Sequence, residues 1–81
     1  MLTELSAHSK VVGVKQVRRA VESGRAQTVF LAQDAEGRVT APIAALCAEK
    51  GVSVVTGFSM RDLGKACGIS VEAAVAAILS D

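Results

Sequence analysis

The positions of three glycines constrain the fold of this chain more than any other feature of its sequence. Gly24, Gly51 and Gly68 each follow a stretch with helical periodicity and precede a run that is β-branched or apolar. A glycine just past a helix readily takes the left-handed conformation that closes the last turn. The pattern therefore predicts helices that end near residues 23, 50 and 67.

The beginnings of these helices are also marked. Thr40 is the predicted cap of the second helix, and Pro42 lies in its first turn, where a missing N–H group removes no hydrogen bond. Ser59 and Asp62 have the spacing of a capping box at the start of the third helix, with Asp in place of Glu. We predict helices over residues 15–23, 41–50 and 60–67.

Short β-branched runs between the helices predict strands over residues 10–14, 28–32 and 52–56. Residues 73–79 fit either helix or strand by periodicity, and their alanines favour a helix. We predict a strand there because it would complete a sheet. A short opening helix is predicted over residues 2–7. The alternation indicates an α/β fold with helices packed on both faces of a four-stranded sheet.

Composition bounds the core and the compartment. The 81 residues predict a single domain, and 51% hydrophobic residues with only two aromatics predict a tight aliphatic core. Cys47 and Cys67 lie in apolar helical patterns, and His8 is the only histidine. We therefore predict buried free thiols and no metal site or other cofactor. Free thiols, no signal peptide and no apolar run of membrane-spanning length predict a cytoplasmic protein.

Sequence signals for catalysis are missing. The chain contains no Gly-x-Gly-x-x-Gly motif, no phosphate-binding Gly-x-x-x-x-Gly-Lys-Ser/Thr loop and no Gly-x-Ser-x-Gly motif. Asp34 and Glu36 could in principle act as a general acid or base, but acids beside a glycine in a loop are ordinarily turn residues. We predict that the protein is not an enzyme.

Positive charge is concentrated in one segment. The whole chain carries a net charge of +1, whereas residues 10–25 carry five basic residues and one acid, Glu22. Such an asymmetry favours a local contact with an anion over diffuse binding. The alternative is that these side chains only solubilise one face of a helix.

The segment around Gly13 has the pattern of a strand, a turn and a helix. Gly13 permits a sharp turn and close approach to the backbone, and the helix start that follows offers unpaired N–H groups to a phosphate. Lys15 and Gln16 could bond base edges, and Arg19, one turn later, could reach a phosphate. A merely polar helix start remains the alternative at this level of analysis.

Four segments carry a resemblance to a known family. They are GVKQVRR (residues 13–19), LAQDAE (31–36), LCAEKGV (46–52) and LGKACGI (63–69). In this order and with these gaps, the chain resembles the ribosomal protein L7Ae family of kink-turn RNA-binding proteins, most of all its small bacterial members of the YbxF type. The resemblance covers nearly the whole chain. It implies a three-layer α-β-α sandwich around a four-stranded mixed sheet.

The resemblance also implies a binding surface. A kink-turn is an RNA element in which a three-nucleotide bulge beside tandem sheared G·A pairs bends the duplex. Lys15 and Gln16 would face the guanines of those pairs, and Arg19 would take a phosphate. Glu36 would lie near the same bases. The implied RNA-binding residues are Gly13, Lys15, Gln16, Arg18, Arg19, Glu36, Lys65, Ile69, Ser70 and Val71.

Within that set, Ile69, Ser70 and Val71 match the family's apolar loop that holds the extruded bulge nucleotide. The ordinary alternative is that Ile69 or Val71 packs back against its own helix. The chain departs from the family pattern at Met60, where some members carry a lysine, and at Gly37, where a proline is common.

We expect a monomer that binds kink-turn or kink-turn-like structured RNA, free or as part of the ribosome, with no membrane or small-molecule partner. Two alternatives stay open: a protein-interaction adaptor on the same fold with no RNA role, and a recognition module of a larger RNA-modifying enzyme. The basic segment favours RNA over the adaptor.

Overall fold

Strands and helices alternate along residues 9–80, the part of the chain that the computed structural model describes. The helix predicted over residues 2–7 lies outside these residues. The order of elements is β1 (Lys10–Val12), α1 (Val14–Glu22), β2 (Ala26–Ala32), α2 (Gly37–Lys50), β3 (Ser53–Phe58), α3 (Met60–Ala66) and β4 (Val75–Leu79).

The four strands form one mixed sheet in the order β1-β4-β2-β3. The last strand, β4, lies in the interior of the sheet and runs antiparallel to both β1 and β2, whereas β2 and β3 are parallel. The predicted α/β fold with a four-stranded sheet is therefore confirmed, and so is the strand predicted near the end of the chain.

Two layers of helices cover the two faces of the sheet. Helices α1 and α2 pack on one face through side chains that include Val17 and Ile43, and α3 packs on the other through Leu63. Successive residues of β4 alternate between these layers: Val75 and Ala77 join the first cluster, and Ala76 and Ile78 the second. A strand buried on both faces has no polar side chains to mark its period, which explains why periodicity alone was ambiguous there.

The three helices within residues 9–80 end as predicted, at glycines with positive φ angles of 76° at Gly24, 71° at Gly51 and 75° at Gly68. The residue after each glycine donates its backbone N–H to a carbonyl of the preceding helix. At the start of α3, the Ser59 hydroxyl accepts a hydrogen bond of 3.0 Å from the N–H of Asp62, as the capping pattern predicted.

The start of α2 was predicted wrongly. This helix begins at Gly37, four residues earlier than expected, with Glu36 rather than Thr40 at the cap position. The N–H groups of Val39 and Thr40 both donate to the Glu36 carbonyl. Pro42 consequently lies inside the helix and not in its first turn. It is exposed, so solvent can hydrate the carbonyl that loses its partner N–H group.

Candidate nucleic-acid interface

The sheet topology places the starts of three helices at one edge of the sheet. Strands β1, β2 and β3 run in the same direction, and the interior strand β4 runs against them. The end of β1, the end of β2 and the beginning of β4 therefore lie together, and α1, α2 and α3 each begin just beyond this edge. We call it the carboxyl edge, and the opposite one the far edge.

Gly13 forms the turn between β1 and α1 at the carboxyl edge. Its φ of 104° and ψ of 151° are accessible to glycine and strained for other residues. Its N–H donates to the Val75 carbonyl over 3.1 Å, and its own carbonyl accepts from the N–H of Val17 over 2.9 Å. The turn is therefore hydrogen-bonded to the sheet through its N–H group and to α1 through its carbonyl.

The first turn of α1 is open to solvent. The cap residue, Gly13, has no side chain with which to cap it, and the turn contains no acidic residue. Lys15 and Gln16 are exposed, while Val17, Ala20 and Val21 are buried against the sheet. Unpaired N–H groups and the positive end of the helix dipole therefore face outward beside a lysine, which is a favourable environment for a phosphate.

Arg18 and Arg19 are also exposed on α1. Among residues 9–80 the only ion pair joins Arg38 to Glu36. No described carboxylate therefore lies within ion-pair distance of Arg18 or Arg19. No carboxylate among the described residues neutralises these two charges, which leaves them available to a ligand in that part of the chain.

Glu36 stands at the cap position of α2, on the same carboxyl edge. One of its carboxylate oxygens lies 3.0 Å from Nε of Arg38, and the side chains of Arg38 and Glu36 are 81% and 66% exposed. An ion pair this open to water contributes little stability. Breaking this ion pair to bind a ligand would therefore cost little free energy.

The loop before β4 contains Ile69 and Val71, the two apolar residues that the sequence predicts to contact RNA. Val71 is 67% exposed and Ile69 is 37% exposed. Packing against the helix is thus not the role of Val71. These two residues line an open groove of about 460 Å³ together with Ser70, Lys65, Arg61 and the acid Glu72.

Hydrogen bonds join the loops of the carboxyl edge to one another. A side-chain oxygen of Asp34, in the loop after β2, accepts a bond of 2.7 Å from the N–H of Met60, the first residue of α3. The Met60 carbonyl in turn accepts from the N–H of Ala73, in the loop before β4, over 3.0 Å. Asp34 therefore positions two of the predicted binding segments relative to each other.

From the sequence, Asp34 was a turn residue, a remote candidate for catalysis and a member of the LAQDAE segment, and no structural contact was predicted for it. Its partner lies 26 positions away, so no local spacing could have indicated the contact. Gly64 was missed in the same way. It is buried in α3, and a Cβ atom there would overlap the backbone carbonyl oxygen of Val71.

The profile of the Ribosomal protein L7Ae/L30e/S12e/Gadd45 family matches residues 2–81. The chain belongs to this family. It is 43% identical over 75 residues to an RNA-binding protein YbxF of Geobacillus stearothermophilus, covering 93% of this chain and 92% of that one. It is 41% identical over 73 residues to an RNA-binding protein of Bacillus pumilus, with coverage of 90% and 89%.

Solved structures of similar shape also exist. The 15.5kD RNA binding protein of Giardia lamblia superposes with a TM-score of 0.88 at 30% identity, covering 99% of this chain and 69% of that one. A protein of unknown function from Bacillus halodurans superposes with a TM-score of 0.87 at 25% identity, covering 98% and 83%. The L7Ae-family fold expected from the sequence is confirmed.

The cysteines of this L7Ae-family chain lie in its two core clusters. Cys47 is buried between α2 and the sheet, and Cys67 is buried on the α3 side. Burial raises the pKa of both thiols, and the positive charge of Lys10 offsets part of the rise at Cys67. Such thiols stay protonated and weakly reactive near neutral pH.

Residues 9–80 contain neither a cluster of metal ligands nor a membrane-spanning helix. No group of three or more His, Cys, Asp or Glu side chains is arranged to hold a metal ion in this range. Nor does any helix in this part of the chain have the length and apolar character needed to cross a membrane.

Proposed function

We propose that this protein binds structured RNA at the carboxyl edge and that its preferred target is a kink-turn. The observation that carries the proposal is the presence, on one edge, of an uncapped helix start bearing Lys15 and Gln16 and of an exposed apolar residue, Val71. The names of the bacterial relatives support RNA as the ligand.

The chemistry of the edge suits a bent RNA. The α1 start offers donors to phosphates, and Lys15 and Gln16 offer bonds to the edges of guanines opened by the bend. Arg18, Arg19 and Lys65 add positive charge beside them. Apolar contact from Val71 suits a nucleotide that is already unstacked, which is the usual form in which proteins read RNA bases.

The protein would act by selection of one RNA conformation. A ligand shifts a conformational equilibrium only by its different affinity for the two states. Under this proposal the bent RNA meets the α1 start and Val71 together, and a straight duplex meets fewer of these contacts. We further propose that residues 1–81 form a single RNA-binding domain, which acts as a cytoplasmic monomer and catalyses no reaction.

Replacing Lys15 or Gln16 with alanine is expected to weaken binding to a kink-turn duplex by about 1–3 kcal/mol each, the range for a base-edge contact. Isothermal titration calorimetry measures the loss. The matched controls are Lys50→Ala and Gln27→Ala, which remove the same exposed side chains from the far edge and should bind normally. Wild-type affinity in both α1 variants would exclude this contact surface.

The preference for a kink-turn is tested by changing the RNA and not the protein. A duplex in which the sheared G·A pairs are replaced by Watson–Crick pairs should bind much more weakly than the kink-turn in a gel-shift titration. Equal affinity for the two RNAs would contradict the kink-turn proposal while leaving general RNA binding intact. Absence of binding to both would contradict RNA binding.

Salt should weaken the complex strongly. Release of counterions from phosphates held by about three to five basic residues predicts that log K falls with log[salt] at a slope of roughly −3 to −4. The net charge of the whole chain, +1, would not by itself produce such a dependence. Affinity measured across a salt series gives the slope. A value near zero would mean that the basic segment is only a solvated face.

A further inference from the structure

A second feature of the basic segment extends from the carboxyl edge toward the far edge. Along the side of α1, between this helix and the edge strand β1, runs an open groove of about 340 Å³. We call it the side groove. It is lined by Val11, Gln16, Arg19, Ala20, Ser23 and Arg25.

The side groove connects the proposed binding site to the opposite end of the molecule. Gln16 lies in the first turn of α1 at the carboxyl edge, whereas Arg25 directly precedes β2 at the far edge. Arg19 lies between them on α1. The proposed RNA-binding site and the groove therefore share Gln16 and Arg19 and form one continuous surface.

The charge of the side groove has a single sign. Two of its lining residues are arginines and none is acidic. Glu22, the acid of this segment, lines a different groove on the other side of α1, together with Lys50. Neither Arg19 nor Arg25 has a carboxylate within ion-pair distance among residues 9–80. A concave surface lined by arginines that pair with no described carboxylate attracts a chain of anions.

The backbone at Arg25 is held in place. Its N–H donates to the Ala20 carbonyl over 2.9 Å, and its carbonyl accepts two hydrogen bonds from Ser80, from the N–H over 2.8 Å and from the hydroxyl over 3.0 Å. The side chain itself is exposed. A cation on a fixed backbone loses less entropy on binding than one on a loose loop.

We propose that the side groove binds the sugar-phosphate backbone of one RNA strand that leaves the Lys15 and Gln16 site, so that Arg25 is an RNA-binding residue. The inference rests on the proposed function and extends the RNA footprint along one stem of the kinked duplex. Gln16 and Ser23 are separated by about 10 Å of helix, which matches about three consecutive phosphates of a duplex strand.

Arg25→Gln tests the proposal because it removes the charge and leaves the backbone hydrogen bonds possible. For a kink-turn RNA with two long stems, loss of one phosphate contact should weaken binding roughly tenfold at 50 mM salt and roughly threefold at 200 mM. Lys50→Gln is the matched control. It removes the same charge from the same end of the molecule, outside the side groove, and should leave affinity unchanged.

Shortening each stem of the RNA in turn locates the contact. When the stem that occupies the side groove is cut back to the base pairs next to the kink, the wild-type protein and Arg25→Gln should bind equally. Shortening the other stem should preserve their difference. Fluorescence anisotropy titrations measure all the affinities, and circular dichroism checks that each variant is folded.

Several results would overturn the proposal. Equal losses of RNA affinity in Arg25→Gln and Lys50→Gln would indicate a net-charge effect. A loss of affinity in Arg25→Gln that persists when both stems are shortened would place the contact outside the stems. Unchanged affinity of Arg25→Gln for the long-stem RNA would leave the groove to a different anionic partner. Gln16→Ala separates these from failure of the proposed function, because it should weaken binding to every one of these RNAs.

Discussion

Gly64→Ala is expected to lower the free energy of unfolding by about 1–3 kcal/mol, the usual effect of overfilling a packed site. In an isolated helix the same change would be stabilising by about 1 kcal/mol, since alanine favours helix more than glycine does. Here the new Cβ would overlap the Val71 carbonyl oxygen and lie 3.2 Å from the Glu72 Cα atom. Backbone atoms cannot rotate away as a flexible side chain would, so α3 or the loop must move.

The same substitution should also weaken RNA binding, because the displaced backbone carries Val71. Urea denaturation measures the loss of stability, and titration with a kink-turn RNA measures the loss of affinity. Gly37→Ala is the matched control. A Cβ at Gly37 would meet no atom within 4 Å, and this exposed position at the start of α2 should show unchanged or slightly increased stability. Wild-type behaviour of Gly64→Ala would show that the contact between α3 and the loop is unimportant.

Val71→Asp is expected to lower RNA affinity by about tenfold or more, with little change in thermal stability. Apolar or stacking contact with one base is worth about 1–3 kcal/mol, and the introduced carboxylate would also repel phosphates. Because the Val71 side chain is 67% exposed, its replacement removes little buried apolar area from the folded protein. Thermal unfolding and RNA titration together separate the two effects.

The control for Val71→Asp is Ser53→Asp, which adds the same negative charge at an exposed position at the start of β3, on the far edge. It should bind RNA normally. Unfolding of Val71→Asp would show that Val71 supports the core, and normal RNA binding by a folded Val71→Asp protein would show that this loop does not contact RNA. A milder variant, Val71→Ala, keeps the test informative because it should fold in either case and lose affinity only if the contact exists.

Features that depend on neighbours in the chain were predictable. The three helix ends follow from the left-handed preference of glycine, and the start of α3 follows from the hydroxyl of Ser59 three residues before an available N–H. The exposed and buried sides of α1 follow from its apolar spacing. Each of these is decided within a few residues, where propensity and hydrogen-bond reach act directly.

The start of α2 shows where local rules fail. Thr40 and Pro42 both favour a helix beginning at residue 41, yet the helix begins at Gly37. Its first turn can form because the Glu36 carbonyl accepts from both Val39 and Thr40. The cost of a proline inside the helix is limited because Pro42 is exposed and lies only five residues beyond the first helical residue.

The amino-acid sequence by itself determined the alternation of elements, the aliphatic core, the basic segment and the polar first turn of α1, because each depends on composition or on spacing along the chain. Only the tertiary structure decided that β4 lies in the interior of the sheet, that Asp34 bonds to Met60 and that Gly64 lies under the Val71 carbonyl. These are contacts between segments that the fold brings together, and their energies depend on geometry that no local pattern encodes.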